Sequence, residues 1–333
     1  MSLSNFEEWE VSMATNDQIK QLVKAHYAND NKAFRSCLLQ MAAYEAKRGH
    51  ATVAREFKVL ANQKHEQAKI IKIANNDGLF NVTYPKVHLG DLVVGDGIQS
   101  KIARVVKEHR QRGKLADYGY ENRRRLLLEG HPGTGKTMTA SVIASELGMP
   151  LFTVQMDKLI TKYMGETSVR LRQIFEAIER NPGVYLFDEF DAIGADRSLD
   201  NEVGEMRRIL NSFLQFIEED TSGSIIVAAT NNKQMLDAAL FRRFDDVLHY
   251  EMPTPDQAKQ LVDHAVGGFD TNFYASSSLA ERMSRLCQAE IVQVCQDAIK
   301  ESLLEGDEHI DEGRLSSLCD ERISLYSADQ QAS

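Results

Sequence analysis

The residues with the clearest chemistry form the run Gly130-His131-Pro132-Gly133-Thr134-Gly135-Lys136-Thr137, a G-x-x-x-x-G-K-T pattern. Glycines at these spacings let backbone N–H groups turn inward around phosphate oxygens. Leu126-Leu127-Leu128 before the run reads as a buried strand, and Met138 to Leu147 after it reads as a helix stopped by Gly148. That strand–loop–helix context separates a phosphate loop from a glycine-rich turn that holds no ligand. The helix N-terminus adds its partial positive charge at the same place. Pro132, Gly133, Thr134, Gly135, Lys136, Thr137 and Met138 are therefore the expected nucleotide-binding run. Lys136 would reach the outer phosphates and the Thr137 hydroxyl would bind Mg²⁺.

A second constellation lies about fifty residues on. Val184-Tyr185-Leu186-Phe187-Asp188-Glu189 is an apolar run that ends in two carboxylates. Asp188 suits the Mg²⁺ shell, and Glu189 suits orienting and activating an attacking water. Adjacent acids also serve as helix N-caps, but their pairing with an upstream phosphate loop favours catalysis. Ile225-Ile226-Val227-Ala228-Ala229-Thr230-Asn231 is a further buried strand with a polar end. There Asn231 is placed to hydrogen-bond the γ-phosphate or the attacking water. Thr-Asn also begins ordinary turns, so that residue alone decides nothing.

The elements that must carry these groups follow from periodicity. Strands are expected at residues 126–129, 151–154, 184–187, 225–229 and 246–249, with helices between them. Such alternation builds a parallel sheet with helices on both faces, and ligands then sit beyond the carboxyl ends of the strands. After Pro253 and Pro255, residues 256–266, 276–285, 289–304 and 311–325 read as helices. Ile291, Val294, Cys295, Ala298, Ile299 and Leu303 give one of them an apolar stripe. Residues 16–73 also read as helical, with stripes at Ile19, Leu22 and Val23, at Phe34, Leu38, Met41 and Ala42, and at Val53, Phe57, Leu60 and Ala61. A small antiparallel bundle satisfies all three stripes, either as a docking module for a partner or as a cap on the larger domain. Asn75-Asn76-Asp77-Gly78 and Pro85 mark the linker. The expected domains are residues 1–80 (helical), 81–252 (α/β) and 253–333 (helical lid).

Composition narrows the function classes. The 333 residues carry a net charge of −10, with 43% hydrophobic and 26% charged residues. An acidic chain offers no overall electrostatic footprint for nucleic acid, which counts against clamp-loading or helicase-loading work. Cys37, Cys287, Cys295 and Cys319 lack metal-ligand spacing and read as reduced thiols of a cytoplasmic protein. No apolar run reaches membrane-spanning length, and the start of the chain is too acidic for a signal peptide. No membrane association is expected.

Asp188-Glu189-Phe190-Asp191-Ala192-Ile193-Gly194, Ala228-Ala229-Thr230-Asn231 and Phe241-Arg242-Arg243-Phe244-Asp245 follow the phosphate loop in the order seen in AAA ATPases. The resemblance covers about residues 90–305. It implies an α/β P-loop NTPase fold of AAA+ type: a parallel five-stranded sheet with helices on both faces, a helical lid, and here a small all-helical N-terminal domain ahead of it. It implies ATP and Mg²⁺ as cofactors and a homo-oligomeric ring, usually a hexamer. Arg242 and Arg243 would then be arginine fingers on the γ-phosphate of a neighbouring subunit, the alternative being surface ion pairs. Lys162-Tyr163-Met164-Gly165-Glu166 is similar to the pore loop of members that thread polypeptide. Tyr163 and Met164 would grip a chain by apolar contact, the alternative being that they pack into a local core. Residues 196–201 form a weaker second candidate for the channel.

Two stretches depart from the family pattern. Val93-Val94-Gly95-Asp96-Gly97 stands where Gly-Gly is usual near adenine, so Val94 is the expected adenine contact there. Cys287-Gln288-Ala289-Glu290 replaces a Gly-Ala-Asp-like turn, with Ala289 as the expected nucleotide contact and no arginine sensor. Thr137-Met138-Thr139-Ala140 through Tyr185-Leu186-Phe187-Asp188-Glu189-Phe190-Asp191 resembles short bacterial AAA proteins encoded beside a subtilisin-like serine protease and linked to phage defence and plasmid incompatibility. That resemblance implies a separate protease as partner. The expected function is ATP-driven remodelling, unfolding or threading of a protein substrate. The alternative is an ATP-dependent switch or scaffold that threads nothing.

Overall fold

A computed structural model describes residues 20–22, 24, 31–62, 78–160, 166–193, 200–231 and 241–331. The chain divides into two compact units, residues 1–70 and 71–333.

In the first unit, α1 (Asn31–Lys47) and α2 (Ala51–Asn62) form a helical hairpin. The turn depends on Gly49, whose φ of +88° is a left-handed value that a side chain would strain. Leu38, Met41, Ala42 and Ala61 of the expected stripes are buried, joined by Cys37 and Ala54. Val53 remains 39% exposed. The helix expected around Ile19 to Val23 falls largely outside the described residues.

The second unit is built on a six-stranded sheet in the order β1-β3-β4-β5-β2-β6. The strands are β1 (Phe80–Thr83), β2 (Arg125–Gly130), β3 (Leu151–Val154), β4 (Val184–Phe187), β5 (Ile225–Thr230) and β6 (Asp246–Tyr250). β2 to β6 are mutually parallel, as the sequence led us to expect. β1 corrects the five-strand expectation: it adds an antiparallel edge, with Phe80 opposite Val154 and Thr83 opposite Leu151. Phe80 packs edge-on against Phe152 and Tyr185, with ring centroids 6.0 and 5.6 Å apart. Position 80 thus opens a strand of the sheet, and a domain boundary there would cut through it. Four residues with only two apolar positions give too weak a period-2 signal to mark a strand beforehand.

Both sheet faces are covered, and the strand residues alternate between them. Leu127, Tyr185, Phe187, Ile226 and Ala228 face α5 (Glu166–Arg180) and α6 (Asp200–Glu219). Leu126, Leu128, Leu186, Val227 and Ala229 face α3 (Asp96–Arg110) and α4 (Lys136–Leu147). Four lid helices, α7 (Pro255–Gly267), α8 (Ser277–Met283), α9 (Gln288–Glu305) and α10 (Glu312–Gln331), enclose a third core. Thr254 starts α7 with a capping box, its hydroxyl accepting from the Gln257 N–H while the Gln257 side chain accepts from Thr254 N. The α9 stripe holds at Ile291, Val294, Cys295 and Ala298, but Leu303 is 61% exposed. Ser302 takes the inward position instead, where its hydroxyl accepts from Arg314 at 2.7 Å.

Candidate active site

Three adjacent strands, β4, β5 and β2, deliver the chemistry at their carboxyl ends. The phosphate loop leaves β2 with left-handed glycines at Gly133 (φ +73°) and Gly135 (φ +98°). Thr134 is fully buried and braces the loop, its hydroxyl donating to His131 O at 2.7 Å. Lys136 is the first residue of α4 and is 6% exposed. Its ammonium donates to Gly130 O at 2.8 Å and His131 O at 2.7 Å, which fixes it over the loop where outer phosphates would lie. Burial pulls its pKa below the usual lysine value, against the opposing pull of Asp188 and Asp191.

The Thr137 hydroxyl donates to Asp188 Oδ2 at 2.6 Å. This brings a hydroxyl and a carboxylate together across the gap between β2 and β4, a hard-oxygen donor set that fits Mg²⁺. Among the described residues no group of three or more His, Cys, Asp or Glu could hold a metal by itself. A cation here would therefore be shared with phosphate oxygens and water. Glu189 follows with φ of +51°, the single non-glycine residue in the left-handed region among the described residues. That conformation costs about 1–2 kcal/mol. It turns the exposed carboxylate out of the strand line towards the cleft. Asp191 ties the strand ends together, accepting at Oδ1 from Asn231 N at 3.2 Å and Thr230 Oγ1 at 3.3 Å. Asn231 is exposed and lines the cleft beside Asp188 and Glu189.

The lid closes the site from the other side. Ala289, in the first turn of α9, donates its N–H to Gly133 O at 3.0 Å. The cleft so formed, of about 750 Å³, is lined by Pro132 to Met138, Asp188, Glu189, Asn231 and Ala289. Its apolar wall comprises Leu92, Val93, Leu261, Ala265 and Val292. Of the residues expected to bind nucleotide, Val94 alone is not brought there. It is buried in the sheet core, while its neighbours Leu92 and Val93 line the cleft. In extended chain a shift of one residue reverses the face, so the stretch was legible but the residue was not. Asp91, His264 and Asp191 were missed as site residues. Only Asp191 lay within a recognised motif, and no local pattern marks the other two.

Arg242 and Arg243 lie elsewhere. β6 runs parallel to β2, with Asp246 opposite Leu126 and Tyr250 opposite Gly130. The arginines precede β6 and so flank the start of β2, about 13 Å along the strands from where the phosphate loop leaves it. Arg242 is exposed, and Arg243 Nε lies 2.7 Å from Glu218 Oε1. Tyr163, Met164 and positions 196–199 of the second candidate loop lie outside the described residues.

A phosphate loop opening a helix, an acidic pair at the end of β4, one strand beyond β5, and a helical lid over the cleft define a P-loop nucleoside triphosphatase module. The profile of the AAA family, "ATPase family associated with various cellular activities", matches residues 126–252. An AAA family ATPase of Sinorhizobium fredii, described as uncharacterised, is 35% identical over 228 residues, which span 68% of this chain and 69% of that one. A putative 26S proteasome regulatory subunit homolog of Methanothermobacter thermautotrophicus is 27% identical over 58% of this chain and 52% of its own. The zinc metalloprotease FtsH 3 of Sphaerobacter thermophilus is 27% identical over 78% and 54%. The chain thus spans about half the length of these last two relatives. It belongs to the AAA family of ATPases, and its enzymatic activity is ATP hydrolysis.

Within that activity each group has a task. With nucleotide in the cleft, the loop N–H groups and Lys136 would face the phosphate chain and Glu189 would face the attacking water. Asn231, whose backbone N–H is tied to Asp191, would stand by the outer phosphate, and Val93 and Val292 belong to the apolar wall where a base would lie.

Proposed function

We propose that the chain forms a homo-oligomeric ring, a hexamer, in which each ATP site is completed by Arg242 and Arg243 of the adjacent subunit. ATP turnover then pulls on a protein substrate and remodels or unfolds it. The observation carrying this reading is the opposite-end placement of the arginines. Their own phosphate loop leaves the far end of β2, so the phosphate they serve belongs to another subunit. Neutralising transition-state charge from there is worth about 10³–10⁵ in rate. Mg²⁺ would be held by Thr137 and Asp188, where it would screen phosphate charge. Tyr163 and Met164 provide the substrate grip, and the thiols of Cys287, Cys295 and Cys319 suit a reducing cytoplasm. Two relatives, a putative proteasome regulatory subunit homolog and an ATP-dependent zinc metalloprotease, support a protease-linked role. A separate subtilisin-like serine protease is the partner to test first.

The test is specific ATPase activity against protein concentration, with mass measured by sedimentation. Activity should rise as the ring assembles. Mixing Arg242→Ala/Arg243→Ala subunits with Lys136→Ala subunits should recover hydrolysis that neither has alone. Full turnover in a verified monomer would end the ring reading. Tyr163→Ala should abolish substrate remodelling while ATP turnover continues. Remodelling that survives it would remove the grip, and a partner response without remodelling would install the switch reading instead.

A further inference from the structure

The loop bearing the arginines is held by the end of α6. Phe244 is 7% exposed in the core and Phe241 packs against the same cluster, so the backbone around Arg243 is anchored on both sides. Asp245 Oδ2 accepts from the N–H groups of both Arg124 and Arg125 at 2.9 Å, which pins the loop to the start of β2. Just past the end of α6, the nearly buried Asp220 forms an ion pair with the Arg124 guanidinium. Its carbonyl accepts from Arg125 Nη2 at 3.4 Å. One turn of chain, Glu218 to Asp220, therefore touches both the strand that leads to the phosphate loop and the arginine loop itself.

With the backbone fixed, the guanidinium of Arg243 still has to be aimed. Glu218 Oε1 lies 2.7 Å from its Nε, with the Arg243 side chain 33% and the Glu218 side chain 50% exposed. A half-exposed pair of this kind adds little to stability. Its attraction at that distance still biases the rotamers of a long side chain towards the end of α6. From this we infer that Glu218 is a positioning residue for Arg243, holding the guanidinium in the direction from which it meets the neighbouring subunit's nucleotide. The inference rests on the proposed action of Arg243 between subunits.

Glu218→Gln keeps shape and removes charge. Small misplacement of a catalytic group costs on the order of 10–100-fold. We expect kcat to fall in that range, with KM for ATP within about two-fold because the variant's own binding cleft is untouched. Mixing with Lys136→Ala subunits, whose arginine loops are intact, should restore turnover at Glu218→Gln sites. Glu218→Asp should retain part of the activity. In an Arg243→Ala background, Glu218→Gln should add no further loss. An unchanged or increased kcat, failure of rescue by mixing, or an equal loss in both backgrounds would overturn the role of Glu218. Arg243→Ala alone separates the two readings, since full turnover in that single variant would sink the finger assignment itself. Melting temperature, unchanged within a few degrees, confirms that the fold is not what moved.

Discussion

Gly133 is where the lid and the phosphate loop come closest, and replacing it should expose how tightly they are coupled. A Cβ built on Gly133 would stand 2.4 Å from Cys287 Sγ and 3.3 Å from Ala289 Cβ. The residue also sits at φ +73°. Gly133→Ala therefore carries two separable costs. The left-handed backbone costs about 1–2 kcal/mol for any residue with a Cβ. The overlap with sulfur forces either the loop or the first turn of α9 to shift, at about 1–3 kcal/mol. The backbone of Cys287 cannot yield easily, because its N–H donates to Glu290 Oε2 at 3.0 Å and its carbonyl accepts from Ile291 N at 3.0 Å. The shift should therefore break the Ala289-to-Gly133 hydrogen bond and weaken ATP binding about ten-fold, roughly 1.4 kcal/mol. Truncating the sulfur separates the terms. The nearest remaining atoms are Ala289 Cβ at 3.3 Å and Cys287 Cβ at 3.5 Å, distances a small adjustment absorbs. Gly133→Ala/Cys287→Ala should regain the lost ATP affinity yet stay less stable by the backbone term alone. Fluorescent-nucleotide titration and thermal melting read the two quantities. An ATP affinity equally poor in the double variant would refute the sulfur contact as the cause.

Glu189→Gln should bind ATP normally while hydrolysing it at least about 10²-fold more slowly, since proton abstraction is lost and the phosphate contacts remain; a filter-binding assay beside phosphate release checks both. Asp220→Ala leaves Arg124 buried without its counter-charge, so unfolding stability should drop by about 3–5 kcal/mol in urea titration. Arg124→Met/Asp220→Leu should recover most of that loss. Lys136 has a lowered pKa from burial, and bound phosphate favours its charged form. Nucleotide binding should therefore take up protons as pH rises through the lowered value towards the ordinary 10.5, and none well below the lowered value, where Lys136 is already charged. Calorimetry in buffers of different ionisation enthalpy gives the sign. Burial pushes the Cys295 thiol up to about 12 and Cys319 up to about 11. At pH 8 both should resist alkylation until the lid unfolds, as peptide mass spectrometry would report.

The phosphate loop was legible because everything that defines it lies within about twenty consecutive residues: strand, glycines, lysine and helix. The acidic pair was legible for the same reason, as an apolar run ending in Asp188-Glu189. Periodicity located the five parallel strands and the four lid helices, since each buries a face fixed by local geometry. Val94, Leu303 and β1 mark where that logic stops. Which of two adjacent valines meets the cleft depends on the register of the chain against the sheet core. Leu303 yielded the inward position to Ser302 because Arg314 supplied the hydroxyl with a partner. β1 exists because Phe152 and Tyr185 offer Phe80 an aromatic surface.

By itself the sequence determined the chemistry, a phosphate loop with Lys136, Thr137, Asp188 and Glu189, and the class of fold that presents it. The tertiary structure alone decided how the groups meet. It set Thr137 against Asp188, Asn231 against Asp191, Ala289 against Gly133 and Arg243 against Glu218, and it put the arginines at the opposite end of the strands from the loop they resemble partners for. The reason is physical. Conformation and periodicity are set by neighbours a few bonds away, whereas these contacts join residues 25 to 156 positions apart and exist only once the cores have packed.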